Sequence, residues 1–255
     1  MVDLHCHILP GIDDGPATIE ESLAMAESAI SDGITRLVAT PHSNSRYKFE
    51  YAKISRLRDD LQSRLEGRLQ LATGCDFHLD PENLAAVHQN PAPFCINQRD
   101  YLLVEFNEFS IPRSMDQTLH RLHLAGLRPI ITHPERNAIL RSQPERLAGW
   151  VRQGCFVQVT GGAITGGFGK GPREDALAWI GKGLVHFVAS DAHNLTSRPL
   201  LLRPAYAAVR DQFGEKTAEA LFLLNPLAAF EGRSLPCVPE VSTEEPRRRK
   251  RFFFF

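Results

Sequence analysis

Short apolar runs of four to eight residues recur seven times along the 255 residues, and that rhythm restricts the fold more than any other feature. The runs are Val2–Ile8, Leu37–Thr40, Leu69–Cys75, Tyr101–Phe106, Pro129–Thr132, Cys155–Thr160 and Val185–Ala189. Short, and rich in Val, Ile, Leu and Phe, they read as buried parallel strands. Helical patterns lie between them. Ile19–Ser31 follows Thr18 as an N-cap, with Glu21 three residues on, and stops at Gly33. Lys53–Leu65, Met115–Ala125, Pro144–Gln153 and Arg173–Gly181 repeat the pattern. A β/α unit iterated this often is most economically a closed or nearly closed α/β barrel, with a doubly wound open sheet as the alternative. Hydrophobic residues make up 43% of the chain, enough for a substantial core.

The polar residues fall where a barrel would gather them. The first run carries Asp3-Leu4-His5-Cys6-His7, and Asp13-Asp14-Gly15 follows one loop later. Side chains alternate along a strand, so His5 and His7 should face one side while Leu4 and Cys6 face the other. Zinc, manganese and iron all accept neutral imidazole, and a carboxylate such as Asp14 suits the harder metals among them. The ends of the later runs add His42, Asp76, Glu105, His133, and Asp191 with His193. Six of the seven runs therefore finish in a potential metal ligand, and in a β/α barrel those ends converge on one face. Chance could produce two or three such endings, so a shared metal site is expected.

Charge and composition exclude several classes. Arg247–Arg251 supplies five basic residues at one stroke; setting them aside leaves 24 basic against 30 acidic residues, a body at −6. An acidic body argues against a nucleic-acid groove, which needs clustered Lys and Arg. The basic run leads into Phe252–Phe255, and Pro236, Pro239 and Pro246 punctuate the approach to it. One folded domain over residues 1–235 is expected, followed by a disordered basic and phenylalanine tail over 236–255. A weak contact of that tail with an anionic membrane surface is the alternative. No apolar run reaches eighteen residues, no secretory signal opens the chain, and five scattered cysteines include no C-x-x-C pair. A soluble protein of the reducing cytoplasm is expected.

These segments, with Ala39-Thr40-Pro41-His42, Val104-Glu105-Phe106, Thr132-His133-Pro134-Glu135-Arg136 and Ala189-Ser190-Asp191-Ala192-His193-Asn194, resemble the PHP superfamily of metal-dependent phosphoesterases. Within it they look most like the bacterial protein-tyrosine phosphatases of capsule and exopolysaccharide loci, from Val2 to about Arg233. The resemblance implies a distorted seven-stranded β/α barrel of PHP type, in a single domain, holding three divalent ions. Manganese is the usual ion, and iron or zinc the alternatives. By match to the motif, His5, His7, Asp76 and Asp191 would hold the first ion, Asp76, Glu105 and His133 the second, and Asp14, His42 and His193 the third. Asp76 departs from the Glu that many relatives carry in the bridging position, one methylene shorter. Arg136 and Arg198 match phosphate-binding arginines, and a guanidinium can grip two phosphate oxygens at once.

The implied reaction is hydrolysis of protein phosphotyrosine by a metal-bridging hydroxide, on the tail of a partner tyrosine autokinase that regulates capsule or exopolysaccharide synthesis. A phenolate leaving group, of pKa near ~10, leaves without a strong general acid. A phosphomonoesterase of histidinol phosphate, a sugar phosphate or a nucleotide is the alternative enzyme, and a non-catalytic metal-stabilised regulator the alternative class. A cysteine-nucleophile phosphatase would need an arginine six positions after the cysteine. Ile12, Pro81, Tyr101, Gly161 and Thr243 stand there instead. The glycine-rich stretch Gly161–Gly171 lacks Walker spacing and reads as a flexible loop at the barrel mouth. His78 could line the pocket, whereas His88, His120 and His123 read as surface residues, His186 as a strand residue, and Tyr47, Phe49 and Tyr51 as helix packing.

Overall fold

The computed structural model describes residues 1–240; the basic and phenylalanine run at 247–255 lies outside the described residues. The N-terminal helix forms as its caps dictate. Thr18 accepts the Glu21 N–H at 3.3 Å, Glu21 reaches back to the Ala17 N–H at 2.7 Å, and the helix spans Ile19–Ser31. The other expected helices form at Tyr51–Arg64, Ser114–Leu124, Pro144–Arg152 and Lys170–Gly181. Among the described residues no helix is long and apolar enough to cross a membrane.

The strands are β1 (Val2–Cys6), β2 (Arg36–Ala39), β3 (His42–Ser43), β4 (Gln70–Thr73), β5 (Asp76–His78), β6 (Tyr101–Glu105), β7 (Arg128–Thr132), β8 (Phe156–Thr160) and β9 (Phe187–Ala189). All pairings are parallel, in a three-stranded sheet β1-β2-β4 and a six-stranded sheet β3-β5-β6-β7-β8-β9. Among the described residues the expected seven strands are thus nine, in two sheets rather than one continuous barrel wall. The physical reason lies at two adjacent interruptions. Pro41 cannot donate to a ladder, and Gly74 packs where a Cβ would stand 3.0 Å from Val38 Cγ1. The ladder direction still carries across, since Gly74 N–H donates to Ala39 at 2.9 Å and Asp76 N–H to Pro41 at 3.1 Å. At the far side Cys6 bridges Ala192, and Asp191 N–H donates to the His5 carbonyl at 2.8 Å.

Strand β1 does not alternate as simply as its sequence suggests. Asp3 pairs with Leu37 but Cys6 with Ala39, so β1 carries one extra residue. Val2 and Leu4 pack in an inner cluster with Val38 of β2, Ala72 of β4, Tyr101 and Leu103 of β6, Ile130 of β7 and Phe187 of β9. Cys6 and Ile8 instead join the larger core between strands and helices, with Leu37, Met25 and Val188. Leu4 and Cys6 therefore do not share a face, because the bulge falls between them, while His5 and His7 still meet in one place, their Nε2 atoms 3.4 Å apart. Phe230 and Ala229, from the helix Asn225–Glu231, plug the opposite end of the inner cluster. Tyr101 OH fastens that plug by donating to the Arg233 carbonyl at 2.9 Å.

His186, one residue before β9, is buried, accepts the Val157 N–H on Nδ1 at 3.2 Å and meets Phe156 edge to face. Burial pushes its pKa down to about 4. A histidine held neutral in the fold binds fewer protons than in the unfolded chain between pH 6.5 and 4. Its stabilisation is full above pH 6.5 and is lost as pH falls toward 4, by about 3 kcal/mol. His186→Gln should flatten the fall in Tm of the metal-free protein over that window; an unchanged slope would exclude His186 as its source.

Candidate metal centre

The end of β1 and the loop after it, the starts of β3 and β5, the end of β6 and the turns after β7 and β9 place every expected ligand in one basin. His5 Nε2 lies 3.3 Å from Asp191 Oδ1, 3.6 Å from Asp76 Oδ2 and 3.4 Å from His7 Nε2. His133 Nε2 lies 3.6 Å from Glu105 Oε1. Asp14 Oδ1 stands 3.4 Å from both His42 Nε2 and His193 Nε2. These spacings are long for hydrogen bonds. They match the edges of a coordination shell, because donors held at ~2.1 Å from one ion sit roughly 3.0–3.4 Å apart.

Donor atoms within 4.8 Å of one another fall into overlapping groups: His5-His7-Asp76, His5-His133-Asp191, Asp76-Glu105-His133, and His7-Asp14-His42-His193. Asp76 stands in two of them despite its short side chain. Both Asp76 oxygens, Asp191 Oδ1, Glu105 Oε2 and His193 Nε2 are buried without a hydrogen-bond partner. So many orphaned acceptors in one place would be costly unless cations satisfy them, and the donor set of imidazoles and carboxylates suits manganese, iron or zinc.

The remaining ring nitrogens are fixed from behind. His5 Nδ1 meets Gln158 Oε1 at 2.9 Å, His7 Nδ1 meets Asp13 Oδ2 at 2.7 Å, and His193 Nδ1 meets the Asp191 carbonyl at 3.0 Å. With Nδ1–H donating to these acceptors, each Nε2 lone pair is left for an ion. Asp13 also accepts the His42 and Gly15 N–H groups, at 3.2 and 3.0 Å. Gly15 is required there, since a Cβ would meet the His7 carbonyl at 2.4 Å.

Two of the candidate ligands sit on left-handed backbone, His133 at φ +32° and Asp191 at φ +52°. Such conformations persist where surrounding bonds over-determine them. Buried Asp3 does so for Asp191, accepting the Ser190 and His5 N–H groups at 3.1 and 3.2 Å. Buried Glu135 does so for the turn Pro134–Arg136, its Oε1 accepting both N–H and hydroxyl of Thr160 at 2.8 Å. Burial pushes Asp3 up to about 6 and Glu135 up to about 7.

The electrostatics divide the basin. Burial opposes a charge on His5 and His42, yet Asp191 and Asp76 hold His5 at about 9, while Asp14 and Asp76 hold His42 at about 11. Burial, joined by the Arg136 guanidinium, drives His133 well down. Burial works against the Asp76 and Asp191 carboxylates as well, but their histidine neighbours keep both far below the ordinary range. An ion entering the metal-free basin must therefore displace protons from His5 and His42.

Arg136 Nη1 and Arg198 Nη2 both grip Asp191 Oδ2, leaving Oδ1 turned toward His5 and His7. Arg198 Nε is buried without an acceptor. His78 was expected at most to line the pocket, but its Nε2 contacts Glu105, and His42, His78 and Glu105 form a further donor group. Lys170 is exposed and pairs with Glu174 at 3.7 Å. Cys6 is fully buried and its thiol is held well up by burial, which disposes of a thiolate route. Tyr47 stacks on His42, while Phe49 packs on Phe94. His88, His120 and His123 are exposed.

Sequence reasoning missed Gln158, Asp13 and Glu135. The signal for Gln158 was the one apolar run, Cys155–Thr160, that ended in no ligand and yet carried a polar residue in its middle.

The family of capsular polysaccharide synthesis proteins CpsB/CapC matches residues 1–231. The tyrosine-protein phosphatase YwqE of Bacillus subtilis is 35% identical, with all of both chains covered. The putative tyrosine-protein phosphatase CapC of Staphylococcus aureus is 34% identical, over 81% of this chain and 82% of its own. A crystal structure from work on YwqE and Streptococcus pneumoniae CpsB, described as unique metal-dependent tyrosine phosphatases, superposes with a TM-score of 0.87 at 33% identity, covering 96% of this chain and 100% of the other. A lactonase from Listeria monocytogenes shares the fold alone, at TM-score 0.56 and 13% identity. With the match spanning residues 1–231 and a relative 35% identical over all of both chains, this protein belongs to the CpsB/CapC family of capsular polysaccharide synthesis.

Proposed function

We propose that this chain is a metal-dependent protein-tyrosine phosphatase acting on the phosphotyrosyl tail of a tyrosine autokinase in capsule or exopolysaccharide synthesis. The observation that carries the reading is the set of overlapping donor groups in which both Asp76 oxygens and Asp191 Oδ1 are buried without a hydrogen-bond partner. His5, His7, Asp76 and Asp191 would hold one divalent ion, Asp76, Glu105 and His133 a second, and Asp14, His42 and His193 a third, with manganese the physiological metal. Bound ions of this kind neutralise phosphoryl oxygens and acidify a water.

The chain's own residues supply the rest. Arg198 keeps a free buried N–H beside Asp191, and Arg136 shares that carboxylate, so both guanidiniums can turn donors toward phosphoryl oxygens without leaving it. A cavity of about 370 Å³, lined by Asn44, His78, Leu79, Phe106, Asn107 and Met115, opens beside Glu105 and offers room for a tyrosyl peptide. Free cysteines, four of the five buried, support a reducing cytoplasmic setting. Residues 1–235 would act as one domain, the two sheets working as one distorted barrel closed at Cys6 and Ala192.

Manganese-loaded protein assayed against a phosphotyrosyl peptide, histidinol phosphate and mononucleotides should prefer the peptide. A preference for a small ester would replace the protein substrate, and no turnover of any ester would leave a regulator. Arg136→Ala should lower kcat/KM about a hundredfold with manganese content retained in elemental analysis. An unchanged kcat/KM would remove Arg136 from phosphate handling.

A further inference from the structure

The glycine-rich segment is not the flexible mouth loop its composition suggests. It begins as a short helix, Gly161–Ile164, capped by Thr160, and ends in the helix Lys170–Gly181. Between them Gly167 N–H donates to the Gly162 carbonyl at 2.8 Å, and Gly169 N–H to Gly166 at 3.0 Å. Gly166 at φ +94° and Gly169 at φ +91° make the two turns that bracket Phe168. Arg173 ties the stretch down by donating to the Ile164 carbonyl at 3.2 Å.

This frame presents one aromatic ring. Arg136 Cζ lies 4.6 Å from the centroid of Phe168. The ring reaches that place because residue 162 is glycine: a Cβ there would stand 2.9 Å from Phe168 Cε2. Ring and guanidinium also share an anchor. Thr160, which caps the helix bearing Gly162, gives both of its donors to Glu135, the neighbour of Arg136.

We infer that Phe168 is a positioning residue, its ring holding one face of the Arg136 guanidinium so that the N–H edge stays shared between Asp191 and the incoming phosphoryl group. An aromatic face attracts a guanidinium through its quadrupole while leaving every in-plane donor free. Asp191 by itself could draw Arg136 entirely onto its own oxygen. The ring opposes that collapse by fixing the plane in which the guanidinium lies. The glycines are thus a stand for Phe168 and make no phosphate contact of their own.

The inference rests on the phosphatase reading, so its test uses inorganic phosphate binding as well as turnover. In manganese-loaded protein, Phe168→Leu keeps the apolar bulk and removes the π face. It should weaken phosphate binding in calorimetry, and lower kcat/KM for p-nitrophenyl phosphate, by about tenfold. Gly162→Ala, which replaces neither residue of the pair and whose added Cβ presses on Phe168, should do the same by displacing the ring, and Phe168→Tyr should restore both readouts. In an Arg136→Ala background, Phe168→Leu should add nothing. Wild-type phosphate affinity in both Phe168→Leu and Gly162→Ala would overturn the inference, as would full additivity with Arg136→Ala. Parallel loss of manganese in Phe168→Leu would overturn it in favour of a structural role. Absence of ester turnover in the wild-type protein would sink the phosphatase reading, and the phosphate titration would still judge the role of Phe168.

Discussion

Asp76→Asn should cut kcat/KM by about three orders of magnitude and lower the manganese content measured by elemental analysis. The expectation follows from position. Asp76 is fully buried at the start of β5, both of its oxygens lack hydrogen-bond partners, and it is common to the His5-His7 group and to the Glu105-His133 group. Losing its charge strips a shared ligand from two ion positions at once. Asparagine keeps the shape, so the fold should survive, and a circular dichroism spectrum like that of the wild type would separate the loss from unfolding. Such a variant with full activity and full manganese would exclude Asp76 as a ligand.

Removing the metals should have the second large effect. After dialysis against a chelator, turnover should fall to background and Tm by about 10 °C, both restored by manganese. An ion at about a thousand times its Kd stabilises the fold by ~4 kcal/mol, and each kcal/mol moves Tm by roughly 2–4 °C at this chain length. In the metal-free state His5, at about 9, and His42, at about 11, carry protons that balance Asp14, Asp76 and Asp191. Because these folded values lie above the ordinary 6.5, that stabilisation is whole below pH 6.5 and is lost as pH rises through about 9 and then about 11. Ions displace the same protons, so metal affinity should rise with pH across this window. The Tm increment from manganese should therefore grow between pH 6.5 and 9. A chelated protein that keeps its activity and its Tm would refute the metal centre; an increment that shrinks with pH would refute the proton linkage.

Much of the candidate donor cluster was legible because potential ligands stand at or just beyond the ends of the apolar runs of a parallel β/α repeat. His42, Asp76, Glu105 and His133 each close an apolar run, and the fold brings them together with His5, His7, Asp14, Asp191 and His193. Helix starts were legible for a local reason, as at Thr18 and Glu21, whose side chains cap backbone groups three or four residues away.

Other features escaped because their causes lie far apart in sequence. Gln158 matters through His5, 153 residues away, and no local pattern marks that pairing. Glu135 gave no hint that it would bind Thr160, nor the glycines that they would carry a ring to Arg136. Arg136 and Arg198 read as phosphate ligands, but the fold also turns them onto Asp191.

What the amino-acid order determined by itself was periodicity and chemistry: the recurring β/α rhythm, the residues able to bind ions, and the absence of a cysteine-nucleophile motif. Only the tertiary structure decided how those ligands are shared. The bulge in β1 separates Leu4 from Cys6, and the interruptions at Pro41 and Gly74 divide the wall into two sheets. Both are responses to packing between strands. Alternation and propensity are local properties of a chain, whereas strand register and the sharing of Asp76 between donor groups arise only when distant segments compete for the same space.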